Sequence, residues 1–294
     1  MDDFLQQVVA GLASGGIYAS LALALVLIHR ATGGINFAQG ELATFTTYIA
    51  WTLTTNHGWP YWPAIFFTLA AAFVGGIGLH RTLIRPVERG SVLRVVIVTI
   101  GLLIGVNGLT TFIWTGEQRQ LDSAFPTRTI DVGGVAISIQ DIGTIAVTIG
   151  IVVLLWLLFQ FTKLGLAMRA AAVNPAEARL VGVRVSWMLA IGWGLAAVLG
   201  AVAGLLSAPT VGLDPSLMQA VLIYAFAAAV LGGIDSPFGA VVGGLLLGVT
   251  LNLLGVYVDF IGADLRLPAA LVVILVVLLV RPSGLFGRPE VKRV

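Results

Sequence analysis

The residue best placed to do chemistry is a carboxylate in apolar surroundings. Glu41 ends the stretch Gly33-Gly34-Ile35-Asn36-Phe37-Ala38-Gln39-Gly40-Glu41, with an apolar run before it and another after it. Glu41, Thr44, Tyr48, Thr52 and Thr55 are spaced 3, 4, 4 and 3 residues apart, so a helix would put them on one face. One explanation is local. Gly33-Gly34 ends a helix, Asn36 caps the next, Gln39 completes a capping box, and the positive helix end tolerates the acid. The other explanation is a solute path, because lipid cannot satisfy a polar stripe and such stripes face a bundle interior or water. Against it, threonine hydroxyls can bond back to their own helix and act only as glue.

Other reactive groupings are missing. The sequence has no GxxxxGK[ST] phosphate loop, and its only lysines are Lys163 and Lys292. His29, His57 and His80 are isolated, without metal-ligand spacing. There is no cysteine and no convincing serine–histidine–carboxylate set. The expectation is a protein that is not an enzyme, with no catalytic residues and no bound metal.

The elements that must position Glu41 are membrane spans. The chain is 58% hydrophobic and only 10% charged, against roughly 25% charged residues in an average soluble domain. Apolar runs of span length fall at about 4–28, 36–53, 62–80, 95–114, 141–161, 187–207, 217–234, 238–258 and 267–280. These describe an all-α integral membrane protein, a polytopic bundle of eight to nine spans in a single domain over 1–294. Spans 2 and 7 are candidates for broken or re-entrant segments. Asp2 and Asp3 stand where a cleaved leader would be basic, which argues for retention of the first helix.

Charge placement gives an orientation. Arg81, Arg85, Arg89 and Arg94 lie in one loop; Lys163, Arg169, Arg179 and Arg184 in a second; Arg281, Arg288, Lys292 and Arg293 in the tail. Nine spans put all three segments on one side, which the positive-inside rule makes cytoplasmic, with the C-terminus there and the N-terminus outside. The opposite loops carry Asp122, Asp131, Asp259 and Asp264 with Arg119, Arg128 and Arg266. Trp51, Trp59, Trp62, Trp114 and Trp187 mark span ends. GxxxG pairs at Gly11/Gly15, Gly101/Gly105, Gly200/Gly204, Gly239/Gly243 and Gly244/Gly248 suit close helix packing.

A second break, Gly232-Gly233-Ile234-Asp235, matches the first at Gly33, Gly34 and Asn36, with Ser236-Pro237 starting a helix. It fits either an internal duplication or chance in a glycine-rich chain. In the 162–186 loop, Asn174 can cap, Pro175 fits the first helical position, Glu177 the third, and Gly182 can terminate. Short helices at about 166–172 and 175–181 suit either docking on a soluble partner or a lipid-held connector. The stretch 208–219, "APTVGLDPSLMQ", is either an external gate or docking surface, or a plain loop.

Five motifs in order, "GLASGGIYASLALALVLI", "GGINFAQGE", "VTIGLLIGVNGL", "GLAMRAAAVNPAEARLVGV" and "AFAAAVLGGIDSPFGAVVGGLLLG", resemble the permease subunits of branched-chain amino-acid ABC importers over about 8–282. The likeness is to the shorter of two paralogous permeases. It implies a bacterial cytoplasmic-membrane protein paired with a second permease, two cytoplasmic ATPases and an external solute-binding protein. Lipid surrounds it, and no nucleic acid is involved. ATP is then used by the ATPases, and this chain binds no cofactor. Arg169, Asn174, Pro175, Glu177, Arg179 and Gly182 match the loop that engages an ATPase. Histidine is common in the family where Gln39 stands here, which puts a proton-linked role for that position in doubt. Glu41, Thr44, Tyr48, Thr52, Asn107 and Asn252 are the expected path residues, and hydroxyls and amides such as Thr44, Tyr48, Asn107 and Asn252 would suffice to solvate a zwitterion. The rival is a stand-alone facilitator or secondary transporter for small polar solutes such as amides or urea. A purely structural scaffold fits the polar stripe less well.

Overall fold

In hydrocarbon, backbone amides and carbonyls bond only to each other, so an apolar chain of this kind folds into helices. A computed structural model describes residues 2–88, 90–126, 128–132, 135–258, 262 and 265–287. Its helices are α1 (Asp2–Thr32), α2 (Gln39–Trp51), α3 (Tyr61–Leu79), α4 (Val92–Trp114), α5 (Ile139–Phe161), α6 (Lys163–Val173), α7 (Pro175–Leu180), α8 (Val185–Val211), α9 (Leu217–Gly232), α10 (Pro237–Tyr257) and α11 (Arg266–Val280). A π turn extends α2 over Thr52–Asn56, and another extends α3 over His80–Ile84. Six helices are long and apolar enough to cross a membrane: α1, α3 with its π turn, α4, α5, α8 and α10. Both α9 and α11 are shorter and apolar. The protein is a polytopic membrane protein. One non-helical element departs from the expected all-α fold, an antiparallel hairpin of β1 (Thr129–Val132) and β2 (Val135–Ser138). Arg89, Asp259, Asp264, Arg288, Lys292 and Arg293, which entered the charge pattern, lie outside the described residues.

The chain forms two compact units. Unit 1 comprises Met1–Val26, Ser123–Thr148 and Ala220–Val294; unit 2 comprises Leu27–Asp122 and Ile149–Gln219.

Glycine sets the packing of unit 1. A methyl group at Gly11 would sit 2.7 Å from the Val249 Cα, and one at Gly15 2.8 Å from the Gly244 carbonyl oxygen. From the other side, a methyl at Gly244 would meet Ala19 Cα at 2.5 Å. Two GxxxG pairs therefore face each other and let the α1 and α10 backbones touch. Gly239 and Gly243 likewise lie against the backbone of α9 at Gly232 and Ala228. After α9, Gly233 adopts φ +107°, a conformation other residues rarely take. Ser236 then caps α10, accepting from the Gly239 amide at 3.0 Å, with Pro237 in the first turn. The amides of Leu285 and Phe286 donate to the carbonyls of Leu231 and Gly232, closing the end of α9.

In unit 2 the central helix is α8, buried along most of its length from Ala190 to Ala208. Gly200 and Gly204 abut Gln39, Ala43 and Thr47 of α2. Gly76 of α3 lies against Trp193 and Gly194 of α8, where a methyl would come within 2.7 Å of the Trp193 carbonyl oxygen. Gly101 and Gly105 differ, since nothing lies within 4 Å of a methyl placed on either. Within unit 2, nothing among the described residues packs on that GxxxG pair.

The contrast gives a test. Gly244→Leu overfills a backbone-to-backbone contact and is expected to cost about 1–3 kcal/mol. Gly101→Leu enters open space and should stay within about 0.5 kcal/mol of the parent. Thermal denaturation of the purified protein in one detergent separates the two.

Candidate functional site

The site begins where α1 stops. Gly33, at φ +71°, turns the chain out of the helix while its amide still donates to His29 O at 2.7 Å. The next residues find partners one at a time. Gly34 N donates to Thr32 Oγ1 at 3.3 Å, and Ile35 O accepts from Thr99 Oγ1 at 3.3 Å. Asn36 Oδ1 accepts from Ala38 N at 3.1 Å, while Asn36 Nδ2 donates to Gln39 Oε1 at 3.0 Å. Gln39 Nε2 then donates to the Ala196 carbonyl at 2.8 Å, tying the segment to α8. Asn36 and Gln39 thus bond to one another, but not as the expected capping box. The N-cap of α2 is Ala38, without a side-chain bond, and the helix starts at Gln39. Asn36 instead forms a turn ahead of the helix.

The neighbours of α2 fix where it lies. Gly34 faces Val92 and Val95, Ile35 meets Thr99, Glu41 meets Asn107, and Tyr48 and Thr52 meet Trp114. The two helices run parallel in register. Asn107 stands fifteen residues after Val92, so Glu41 sits about 22 Å along α4 from its start. Ala196, the partner of Gln39, is likewise eleven residues into α8, or about 16 Å. Glu41 therefore lies far from the level at which α4 and α8 start. The helix does begin just before Glu41, but well inside the bundle of unit 2.

Glu41 is 3% exposed. Its Oε2 accepts from Asn107 Nδ2 at 3.0 Å, and its Oε1 from Gln219 Nε2 at 3.5 Å. Asn107 Nδ2 also donates to Pro215 O at 3.1 Å, so one amide links α4, the acid and the segment after α8. Among the described residues, the only ion pair is His80 with Glu88, and no cation accompanies Glu41.

The rest of the stripe divides. Thr44 donates to its own helix at Gly40 O, and Thr52 to Tyr48 O, as glue would. Thr52 Oγ1 also accepts from Trp114 Nε1 at 2.7 Å. Tyr48 is fully buried and stacks on Trp114 at 5.0 Å, and its hydroxyl has no hydrogen-bond partner. Thr55 is exposed. Asn252 belongs to unit 1, where its amide donates to Gln7 O at 2.7 Å and Gln7 Oε1 at 2.9 Å. Sequence reasoning missed Gln219, Pro215 and Trp114 as members of the site. Trp114 looked only like an interfacial anchor. The stretch 208–219 was noticed, but α8 runs through Pro209 to Val211 and α9 starts at Leu217, so only residues 212–216 form the connection. Its backbone pairs with Arg119 at Leu213, and Arg119 lies over the Trp51 ring at 4.4 Å.

Unit 2 also carries α6 and α7. Asn174 Oδ1 accepts from Ala176 N at 3.1 Å and Glu177 N at 3.3 Å, Pro175 opens α7, and Gly182 takes φ +86°. Ala171, Ala178 and Val185 anchor this pair of helices from beneath. Glu177, Arg179, Leu180 and Val181 point outward, and Arg169 is half-buried in α6.

The family model for the branched-chain amino acid transport system, permease component, matches residues 7–281. The chain belongs to this permease family. It is the permease component of a branched-chain amino acid ABC transport system, a multi-pass membrane protein and not an enzyme. Permeases of this kind work with ATPase and binding-protein partners. A high-affinity branched-chain amino acid permease, BraD of Pseudomonas aeruginosa, is 32% identical over 99% of this chain and 98% of its own length. LivH of Escherichia coli is 30% identical with the same coverage. The probable permease LivH of Methanocaldococcus jannaschii is 29% identical over 91% of this chain and 87% of its own length. Among solved structures, PsaBC from Streptococcus pneumoniae in complex with Fab is similar over 95% of this chain and 92% of that chain, at 17% identity and TM-score 0.49.

Asn107→Leu removes the donor to Glu41 Oε2 and to Pro215 O, leaving buried acceptors unpaired. An expected cost of about 1–3 kcal/mol follows, read as a lower thermal midpoint of the purified permease. Thr111→Val, one turn on and exposed, serves as the unchanged control.

Proposed function

We propose that the permease forms the translocation path for branched-chain or related amino acids released by an external binding protein, with the α2 face from Glu41 to Thr52 lining that path. The supporting observation is the buried Glu41 carboxylate, held by amides alone about two-thirds of the way along α4. A passive helix would not keep an acid there, since burying an ionised group without a cation is costly. Asn107 and Tyr48 belong to the same lining. Thr44 and Thr52 contribute surface that is polar but already hydrogen-bonded.

In this proposal the chain is one transmembrane domain of nine spans, α2 with its π turn, α9 and α11 included, in a bacterial cytoplasmic membrane. The basic loops and the C-terminus face the cytoplasm. A second, paralogous permease completes the path. The open glycine face of α4 at Gly101, Gly105 and Gly108 supports such a neighbour, because small residues let helices approach in lipid. Two cytoplasmic ATPases supply the energy, and the permease itself binds no cofactor. Their contact is α6–α7, with Arg169, Asn174, Pro175 and Gly182 shaping the loop and Glu177, Arg179, Leu180 and Val181 exposed on it. Leu180 is 87% exposed and Val181 79% exposed, apolar surface that a soluble partner would cover.

Two experiments test this. Single cysteines at Thr44, Tyr48 and Thr52 in the cysteine-free chain should react with a small polar thiol reagent during transport, and uniform protection would remove the path from α2. Glu177→Arg should abolish co-purification of the ATPases while membrane insertion is unchanged; normal uptake by this variant would rule out α7 as the coupling contact.

A further inference from the structure

Glu41 raises an electrostatic problem that its protein partners do not solve. Both carboxylate oxygens accept amide N–H groups, the bonding expected of an acceptor-only anion. Yet no lysine, arginine or histidine among the described residues pairs with it, and it is 3% exposed. The two amides are not neutral bystanders. Gln219 sits in the first turn of α9, and Asn107 shares its Nδ2 group between Glu41 and Pro215 of the 212–216 connection that precedes it. The start of α9 is therefore tied to the carboxylate directly and the connection is tied to it through Asn107, and the Gln219 contact, at 3.5 Å, is at the limit of a hydrogen bond.

We propose that Glu41 is a receptor for the primary ammonium group of the passing amino acid, and that ammonium binding releases the 212–216 connection and the first turn of α9 from the latch made by Asn107 and Gln219. This rests on the reading of the α2 face as the translocation path. A cation supplies what the site lacks. An ammonium donates charge-assisted bonds to a carboxylate, about twice as strong as those of neutral amides. It competes for the same oxygen lone pairs, so occupancy of Glu41 by substrate and by the latch is antagonistic.

Further along the path, Tyr48 offers a buried hydroxyl without a partner. It stands seven residues beyond Glu41, or about 10 Å along the helix. Tyr48 is the next station for a polar end after the ammonium leaves Glu41.

Met218, fully buried beside the latch, reports on its release. The chain has no cysteine, so Met218→Cys gives a single thiol in the full importer, reconstituted with its partner subunits in proteoliposomes. Labelling by a polar maleimide is timed with leucine, or with isocaproate, which keeps the side chain and carboxylate of leucine but lacks its ammonium. Leucine is expected to accelerate labelling about ten-fold, and isocaproate to leave it unchanged. In the Glu41→Gln background the leucine effect should vanish, and in Glu41→Asp it should return in part. Equal responses to the two ligands, no response to either, or a full leucine response in Glu41→Gln would overturn the proposal. Should Glu41→Gln fail to assemble, the comparison of leucine with isocaproate on the parent chain decides alone. Leucine uptake is recorded in the same vesicles. If the parent chain takes up no leucine, the path reading itself fails. If uptake is normal but labelling ignores the ammonium, only the receptor role fails.

Discussion

A chain that enters a membrane bundle without helix must find partners for its free amides and carbonyls, and residues 33–39 show how that demand is met. The turn at Gly33 keeps one bond to α1, Asn36 and Gln39 supply side-chain donors and acceptors, and the Ala196 carbonyl receives the last of them. Each of these groups would otherwise cost several kcal/mol in lipid. Because they are satisfied, α2 can start partway up the bundle. Its first turn then presents Glu41 to Asn107 and Gln219, where a continuous span would offer only apolar side chains.

That arrangement needs backbones closer than side chains normally allow. Gly200 and Gly204 let α2 rest on α8, so Gln39 reaches Ala196; Gly76 and Gly194 do the same for α3. In lipid there is little hydrophobic gain from pressing helices together, so such packing rests on dispersion over close surfaces and on the few hydrogen bonds between helices. The same residues that stabilise unit 2 therefore position its carboxylate. Sequence far from Glu41, such as a glycine in α8, governs the geometry of the site.

Much of this was legible beforehand. Hydropathy located the helices within a few residues, six of them long and apolar enough to cross a membrane and α9 and α11 shorter, since a run of about twenty apolar residues has few alternatives. The caps at Asn174 and Ser236 were visible because capping depends on neighbours two and three residues away. The capping box at Asn36 was misread for an instructive reason. The pattern of asparagine followed three residues later by glutamine is local, but whether the helix begins at that asparagine depends on Thr99 and Ala196, far off in the chain. Gln219 and Pro215 were hidden likewise, as their role arises only when α4, the 212–216 connection and the first turn of α9 meet Glu41. The open face at Gly101 and Gly105 was also unreadable, since the GxxxG spacing does not say which partner fills it.

The register of α2 against α4 carries the whole account, and it can be measured in native membranes. Paired cysteines at Glu41 and Asn107 should form a disulfide readily under mild oxidation, while Glu41 paired with Val95 should not. That outcome places the start of α2 partway along the bundle. Efficient cross-linking of Glu41 to Val95 instead would mean that α2 begins at the level where α4 begins, and the buried carboxylate site would not exist.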